Sequence, residues 1–164
     1  MSTETSAEPR WLDEQEMAAW LPLVRLLGLL PQALDRQLRE DAGISHVYYQ
    51  ILAMLSDAPA QQMRMSELAR LSATSLSRLS HAVASLEERG WVERSPSPED
   101  RRGQLARLTD SGRQVLVDVA PGHVAEVRRL VFDRLTREQV AQLTALTTTV
   151  LAGLMDADGA GRRR

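Results

Sequence analysis

Leu23, Leu27, Leu30, Leu34 and Leu38 recur at steps of three and four residues, the spacing that aligns side chains along one face of an α-helix. The pattern predicts helix from Trp11 to Asp41. Pro22, inside it, is placed to open a second helical segment, and Pro31, which lacks an amide donor, is expected to kink the helix. Gly43 ends the run. Ser45 is placed to cap a helix over about His46 to Ser56, with Val47, Ile51, Leu52 and Leu55 on its buried side, until Ala58-Pro59 breaks it.

A short extended stretch, Met63 to Met65, precedes a small helix capped by Ser66 and running through Leu71, with Leu68, Ala69 and Leu71 facing the core. A longer helix follows from about Thr74 to Arg89, ended by Gly90 in a left-handed cap. Two helices joined by so tight a turn read as a helix-turn-helix. Beyond them, Trp91 to Arg94 and Gln104 to Leu108 alternate apolar and polar residues around a loop rich in Pro, Ser and Gly, which reads as a two-stranded hairpin, or wing. Thr109 caps a third long helix to about Leu135, with a break expected at Pro121-Gly122. Thr136 and Gln139 have the spacing of a capping box opening a last helix, about Arg137 to Met155. This helix is apolar at Val140, Leu143, Leu146, Val150, Leu151 and Leu154.

The fold class is therefore mainly α with a small β-wing: a winged helix-turn-helix with long N- and C-terminal dimerisation helices. Residues 11–57 form the N-terminal helices, 58–109 the DNA-binding domain and 110–156 the C-terminal helices, with 1–10 and 157–164 expected as disordered tails. A lone subunit would leave the Leu23-to-Leu38 and Val140-to-Leu154 stripes uncovered, so a homodimer that buries both is expected.

Composition narrows the function. The 164 residues include no cysteine, which removes disulfides, thiolate metal sites and thiol nucleophiles. The three histidines, His46, His81 and His123, lack metal-ligand spacing, and no phosphate-cradling glycine loop occurs. No enzyme, metal or cofactor is expected. Met1 to Arg10 is polar without a signal-like apolar run, and no apolar stretch is taken to approach the roughly 20 residues that span a bilayer. The expected setting is cytoplasmic, at the nucleoid, with no membrane partner. Net charge is −2, yet Gln61 to Val115 holds nine Arg against seven acids, a weakly basic middle between acidic ends.

The stretch SELARLSATSLSRLSHAVASLEERGWVERSPSPEDRRGQLARLTDSGRQVL, from Ser66 to Leu116, resembles the MarR family of multiple-antibiotic-resistance-type regulators. Its sharpest parts are Leu86 to Gly90 and Asp100-Arg101-Arg102-Gly103 followed by Leu108-Thr109 and Gly112. The resemblance implies an intertwined dimer that binds an inverted-repeat DNA operator, as a repressor in the expected case. It also implies release by a small aromatic or anionic effector. In such a protein Thr74, Ser75, Ser77, Arg78 and His81 would form the recognition-helix face, where short hydroxyl residues permit close approach to the major groove. Arg94, Asp100, Arg101 and Arg102 would form the wing site. There the acid would orient Arg102 into a narrow, electronegative minor groove, and Arg101 would meet phosphate. His46, Tyr49 and His123 would line the effector cavity. The alternative is a winged-helix module used for protein contacts without DNA readout. It would call for exposed apolar anchors in place of the Ser, Thr and Arg face.

Overall fold

The structure, a computed structural model, describes residues 9–98 and 103–161, the last five by backbone alone. Six α-helices and three strands follow in chain order among the described residues: α1 (Glu14–Ala42), α2 (His46–Asp57), β1 (Gln62–Arg64), α3 (Met65–Leu71), α4 (Leu76–Glu88), β2 (Val92–Pro96), β3 (Gln104–Leu108), α5 (Asp110–Leu130) and α6 (Arg137–Gly161). Single 3-10 turns at Pro59–Gln61 and Phe132–Arg134 serve as connectors.

Most helix starts are written in capping chemistry. Asp13 and Glu16 form a capping box on α1; Ser45 accepts from the Tyr48 amide, Thr109 from the Gly112 amide, and Thr136 exchanges bonds with Gln139. The exception is α3. It starts two residues earlier than a Ser66 cap would place it and has no side-chain cap, so Ser66 lies inside its first turn.

The prolines interrupt less than expected. Pro22 and Pro31 lie within one continuous α1, and Pro121 within one continuous α5. Each proline deletes one backbone bond, to Ala18, Leu27 or Val117 respectively, and the helix continues through it. Helix α5 ends at Leu130 rather than near Leu135. Helix α6 runs on to Gly161, past the end expected at Met155, so residues 157–161 are helical rather than disordered; residues 1–8 and 162–164 lie outside the described set. An 18-residue window of α1 has a mean hydropathy of 1.4, enough by length and composition to cross a membrane. That corrects the expectation that no segment approaches spanning length; Pro22, Arg25 and Pro31 disguise the run. The same composition suits a helix covered by another protein surface.

The sheet has the order β1-β3-β2, antiparallel throughout, with Met63 opposite Ala106 and Arg94 opposite Ala106 from the other side. The core gathers Ile51, Leu52 and Leu55 of α2, Leu68 and Ala69 of α3, Leu79, Val83 and Leu86 of α4, and Val92, Ala106 and Leu108 of the sheet. Each fully buried Leu or Val contributes roughly 1.5–3 kcal/mol relative to exposure. Val47 and Leu71, expected in this core, stand 50% and 43% exposed, and Leu76 at the start of α4 stands 53% exposed. All three sit at the edges of their helices' apolar arcs, where the 3.6-residue repeat has turned them outward.

Two glycines hold the wing's base. Gly90 (φ 74°) turns the chain out of α4 in the left-handed region that favours glycine. Gly112, in the first turn of α5, lies so close to Trp91 that an added Cβ would stand 2.1 Å from the Trp91 carbonyl oxygen. Thr109 completes the junction, its hydroxyl donating to the Gly90 carbonyl at 2.7 Å and its amide to the Trp91 carbonyl at 3.1 Å.

Candidate nucleic-acid interface

Helix α4 is thirteen residues long, about 20 Å at 1.5 Å per residue. Leu79, Val83 and Leu86 seal one side of it. The other side presents Ser77, Arg78 and His81, all exposed, with Ser75 just ahead of the first turn. The helix starts two residues later than expected, which puts Thr74 in the connecting turn, half-buried, and makes Ser75 the N-cap. The Ser75 hydroxyl accepts from the Arg78 amide at 3.2 Å, so it has a structural task beside any external contact. Leu76 joins the exposed surface. The turn ahead of the helix is held by Thr74 N–H donating to the Ala69 carbonyl at 3.1 Å, and Ala73 within it has φ 49°.

The wing is built on β2 and β3. Its loop is closed where the Ser97 amide donates to the Gly103 carbonyl at 2.8 Å, with Ser97 itself buried. The expected loop residues Asp100, Arg101 and Arg102 lie outside the described residues. Arg94 is described, and it does not extend outward. Its guanidinium donates to Glu87 Oε2 through Nε (2.9 Å) and Nη2 (2.6 Å), and its backbone amide donates to Glu87 Oε1 (3.1 Å). These bonds, the side-chain ones first, hold the Glu87 carboxyl below its ordinary pKa. Glu87 is the partner that sequence reasoning missed, because an acid near a helix C-terminus gives no local sign of what it meets.

The effector residues expected from the sequence do come together. Tyr49 and His123 have ring centroids 4.2 Å apart, and His46 and His123 5.7 Å. His123 is buried, with Nδ1 3.1 Å from Gln37 Oε1, and the His46 amide donates to Asp35 Oδ1 at 2.9 Å. The cluster thus joins α1, α2 and α5. Burial lowers the pKa of His46, against the opposing pull of Asp35, and lowers that of His123, with His46 adding to the effect. Burial raises that of Tyr49. The rings pack on one another, so the cluster is itself a junction between helices; an open groove lies beside it, lined by residues that include Asp35, Arg36, Arg39, His46 and Val47. Asp35 and Gln37 were not foreseen: both sit on α1, whose stripe of leucines gave no reason to single them out.

A family model described as the MarR family matches residues 42–103. The chain is 50% identical to Sco3205, a MarR family transcriptional regulator from Streptomyces coelicolor solved in complex with DNA; that match covers 90% of this chain and 92% of the other, with a TM-score of 0.84. It is 36% identical to AbsC, a MarR family transcriptional regulator from the same organism, over 90% and 99% of the two chains, with a TM-score of 0.83. It is also 29% identical over 134 residues to the multiple antibiotic resistance protein MarR of Escherichia coli (strain K12), covering 80% of this chain and 92% of the relative.

Proposed function

The chain belongs to the MarR family of transcriptional regulators, and on that premise we propose that it is a repressor that binds an inverted-repeat DNA operator as a homodimer. The observation that carries this reading is the two-sided α4: a sealed apolar face and, opposite it, exposed Ser77, Arg78 and His81 beside a wing. Serine hydroxyls and an imidazole can donate to or accept from base edges, and Arg78 can reach guanine or phosphate. Leu76 among them suits the C5-methyl group of thymine. Two such helices related by a two-fold axis would read half-sites about one helical turn apart. Sco3205 and AbsC are MarR family transcriptional regulators, and no catalytic role is assigned to this chain.

The finer assignments stand on the same premise. Ser75 and Thr74 support the recognition helix from its N-terminal side, and Arg102, oriented by Asp100, enters the minor groove, with Arg101 on phosphate. Residues 11–57 and 110–156 serve dimerisation and 58–109 serves DNA binding. A small aromatic or anionic effector acts at the His46, Tyr49 and His123 junction, where it would favour one spacing of the two recognition helices over another. The protein works in the cytoplasm at the nucleoid.

Selection from a pool of random-sequence duplexes tests the reading whatever the operator's sequence. An inverted repeat should be enriched. On that operator Arg78→Ala should cost about 1–3 kcal/mol, and less on single-base variants of it. Arg102→Ala should weaken all duplexes by a similar factor and lower the salt slope by about one unit per charge removed, twice that for a dimer. No enrichment, or unchanged base discrimination in the Arg78 variant, would overturn the proposal.

A further inference from the structure

Strand β2 runs along the edge of the sheet beside α4, and its side chains alternate between two surroundings. Val92 and Arg94 point with Ala106 and Leu108 toward the subunit's interior, whereas Glu93 and Arg107 lie on the outer face, where they form an ion pair at 3.7 Å. Arg94 is thus the one arginine of β2 and β3 that faces inward. Its side chain is only 28% exposed, and its partner Glu87 is 37% exposed.

We propose that Glu87 and Arg94 are the positioning pair of the DNA-binding unit: they lock the recognition helix and the wing at one mutual angle, and Arg94 itself does not contact DNA. This rests on the DNA-binding reading above and replaces the sequence-based expectation that Arg94 belongs to the wing's contact surface. Two observations carry it. Both the backbone and the side chain of Arg94 donate to one carboxylate, so the bond fixes the strand as well as the guanidinium. Glu87 lies in the last turn of α4, where a negative charge meets the negative end of the helix dipole and needs a cation to offset it. Turning Arg94 toward a phosphate would strip Glu87 of that cation and leave a bare carboxylate beside a polyanion. A planar guanidinium holding a carboxylate through two nitrogens also sets an angle, which a point charge would not.

Two contact elements that must enter adjacent grooves of one duplex gain from a fixed angle, because less freedom is lost on binding. The test is operator affinity at several salt concentrations for wild type, Glu87→Gln, Arg94→Lys, Arg94→Ala and the double variant Glu87→Gln/Arg94→Ala. Thermal melting confirms that each protein is folded at the assay temperature. The pair predicts about tenfold weaker binding for each single variant, no further loss in the double variant, and an unchanged salt slope. Arg94→Lys keeps the charge and is the mildest change, so a phosphate contact would survive it whereas the positioning fork would not. Three results would overturn the proposal. One is tighter or unchanged binding by Glu87→Gln, since removing an acid near DNA helps if the acid has no other task. Another is near-native affinity in Arg94→Lys with a shallower salt slope in Arg94→Ala. The third is lowered melting temperature with unaltered affinity in every variant, the mark of a merely structural bridge. A wild-type protein that selects no operator would instead defeat the DNA-binding reading itself.

Discussion

Leu79, Val83 and Leu86 on α4 are sealed within their own subunit, whereas Leu27 on α1 and Leu146 on α6 stand 64% and 66% exposed. Both regions carry apolar residues at helical spacing, and spacing alone does not distinguish them. What separates them is what lies opposite. Helix α4 has α3, α2 and the sheet to close over it, while the N-terminal half of α1 and nearly all of α6 have no layer of their own subunit above them. From Leu21 to Leu29 and from Leu146 to Met155 the chain exposes a series of large apolar side chains, more than a monomeric surface usually presents as one patch. One region completes its core within the subunit, and the other leaves its apolar face uncovered there.

The largest effect expected from that contrast comes from removing α6. Truncation after Thr136 should abolish dimerisation and lower operator affinity by at least about 100-fold, because the second recognition helix loses its effective concentration. Light scattering and a DNA shift assay check both parts. A soluble truncated monomer with native affinity would show that α6 is not half of a core.

A medium effect, confined to the self-contained region, is expected from Gly112→Ala. The new Cβ would stand 2.1 Å from the Trp91 carbonyl oxygen, so α5 must move away from the wing's base, at a cost of about 3 kcal/mol. Chemical denaturation measures it. An unchanged midpoint would mean that the Thr109 to Trp91 junction is loose.

The smallest effect lies where the two regions meet. His46 and His123 both have lowered pKa values in the folded chain, so the unfolded chain binds protons more readily. Their contribution leaves stability unaffected well above the ordinary histidine value of 6.5, and it reduces stability as pH falls through that value toward the lowered ones. Urea midpoints at about pH 7.5 and about pH 5.5 should therefore differ, and His123→Gln should narrow the difference. An identical pH dependence in that variant would place the sensitivity elsewhere.

How much of this was legible in the chain depends on the range of the interaction. Ser45, Thr109 and the Thr136–Gln139 box are local, with acceptor and amide three residues apart, and each was found in place. The turn at Gly90 and the existence of the hairpin are nearly as local. The misses are decided at a distance. Whether Pro31 or Pro121 breaks a helix depends on the packing around the whole helix, since α1 and α5 each run on through theirs. The fate of Arg94 depended on a carboxylate seven positions earlier and on another element. Gly112 did leave a trace: a glycine in the first turn of a well-capped helix is a poor helix former, and it marks a close backbone approach. The grouping of His46, Tyr49 and His123 came from the resemblance, and periodicity alone would not have joined residues so far apart in the chain.

The exposed apolar helices are expected to pair two recognition helices across one duplex. Sedimentation equilibrium of the protein, alone and then titrated onto the selected operator, tests it most directly. A species of twice 18.3 kDa is expected in the absence of DNA, and one such dimer per inverted repeat. A stable 18.3 kDa species that binds an isolated half-site as tightly as the whole repeat would contradict it.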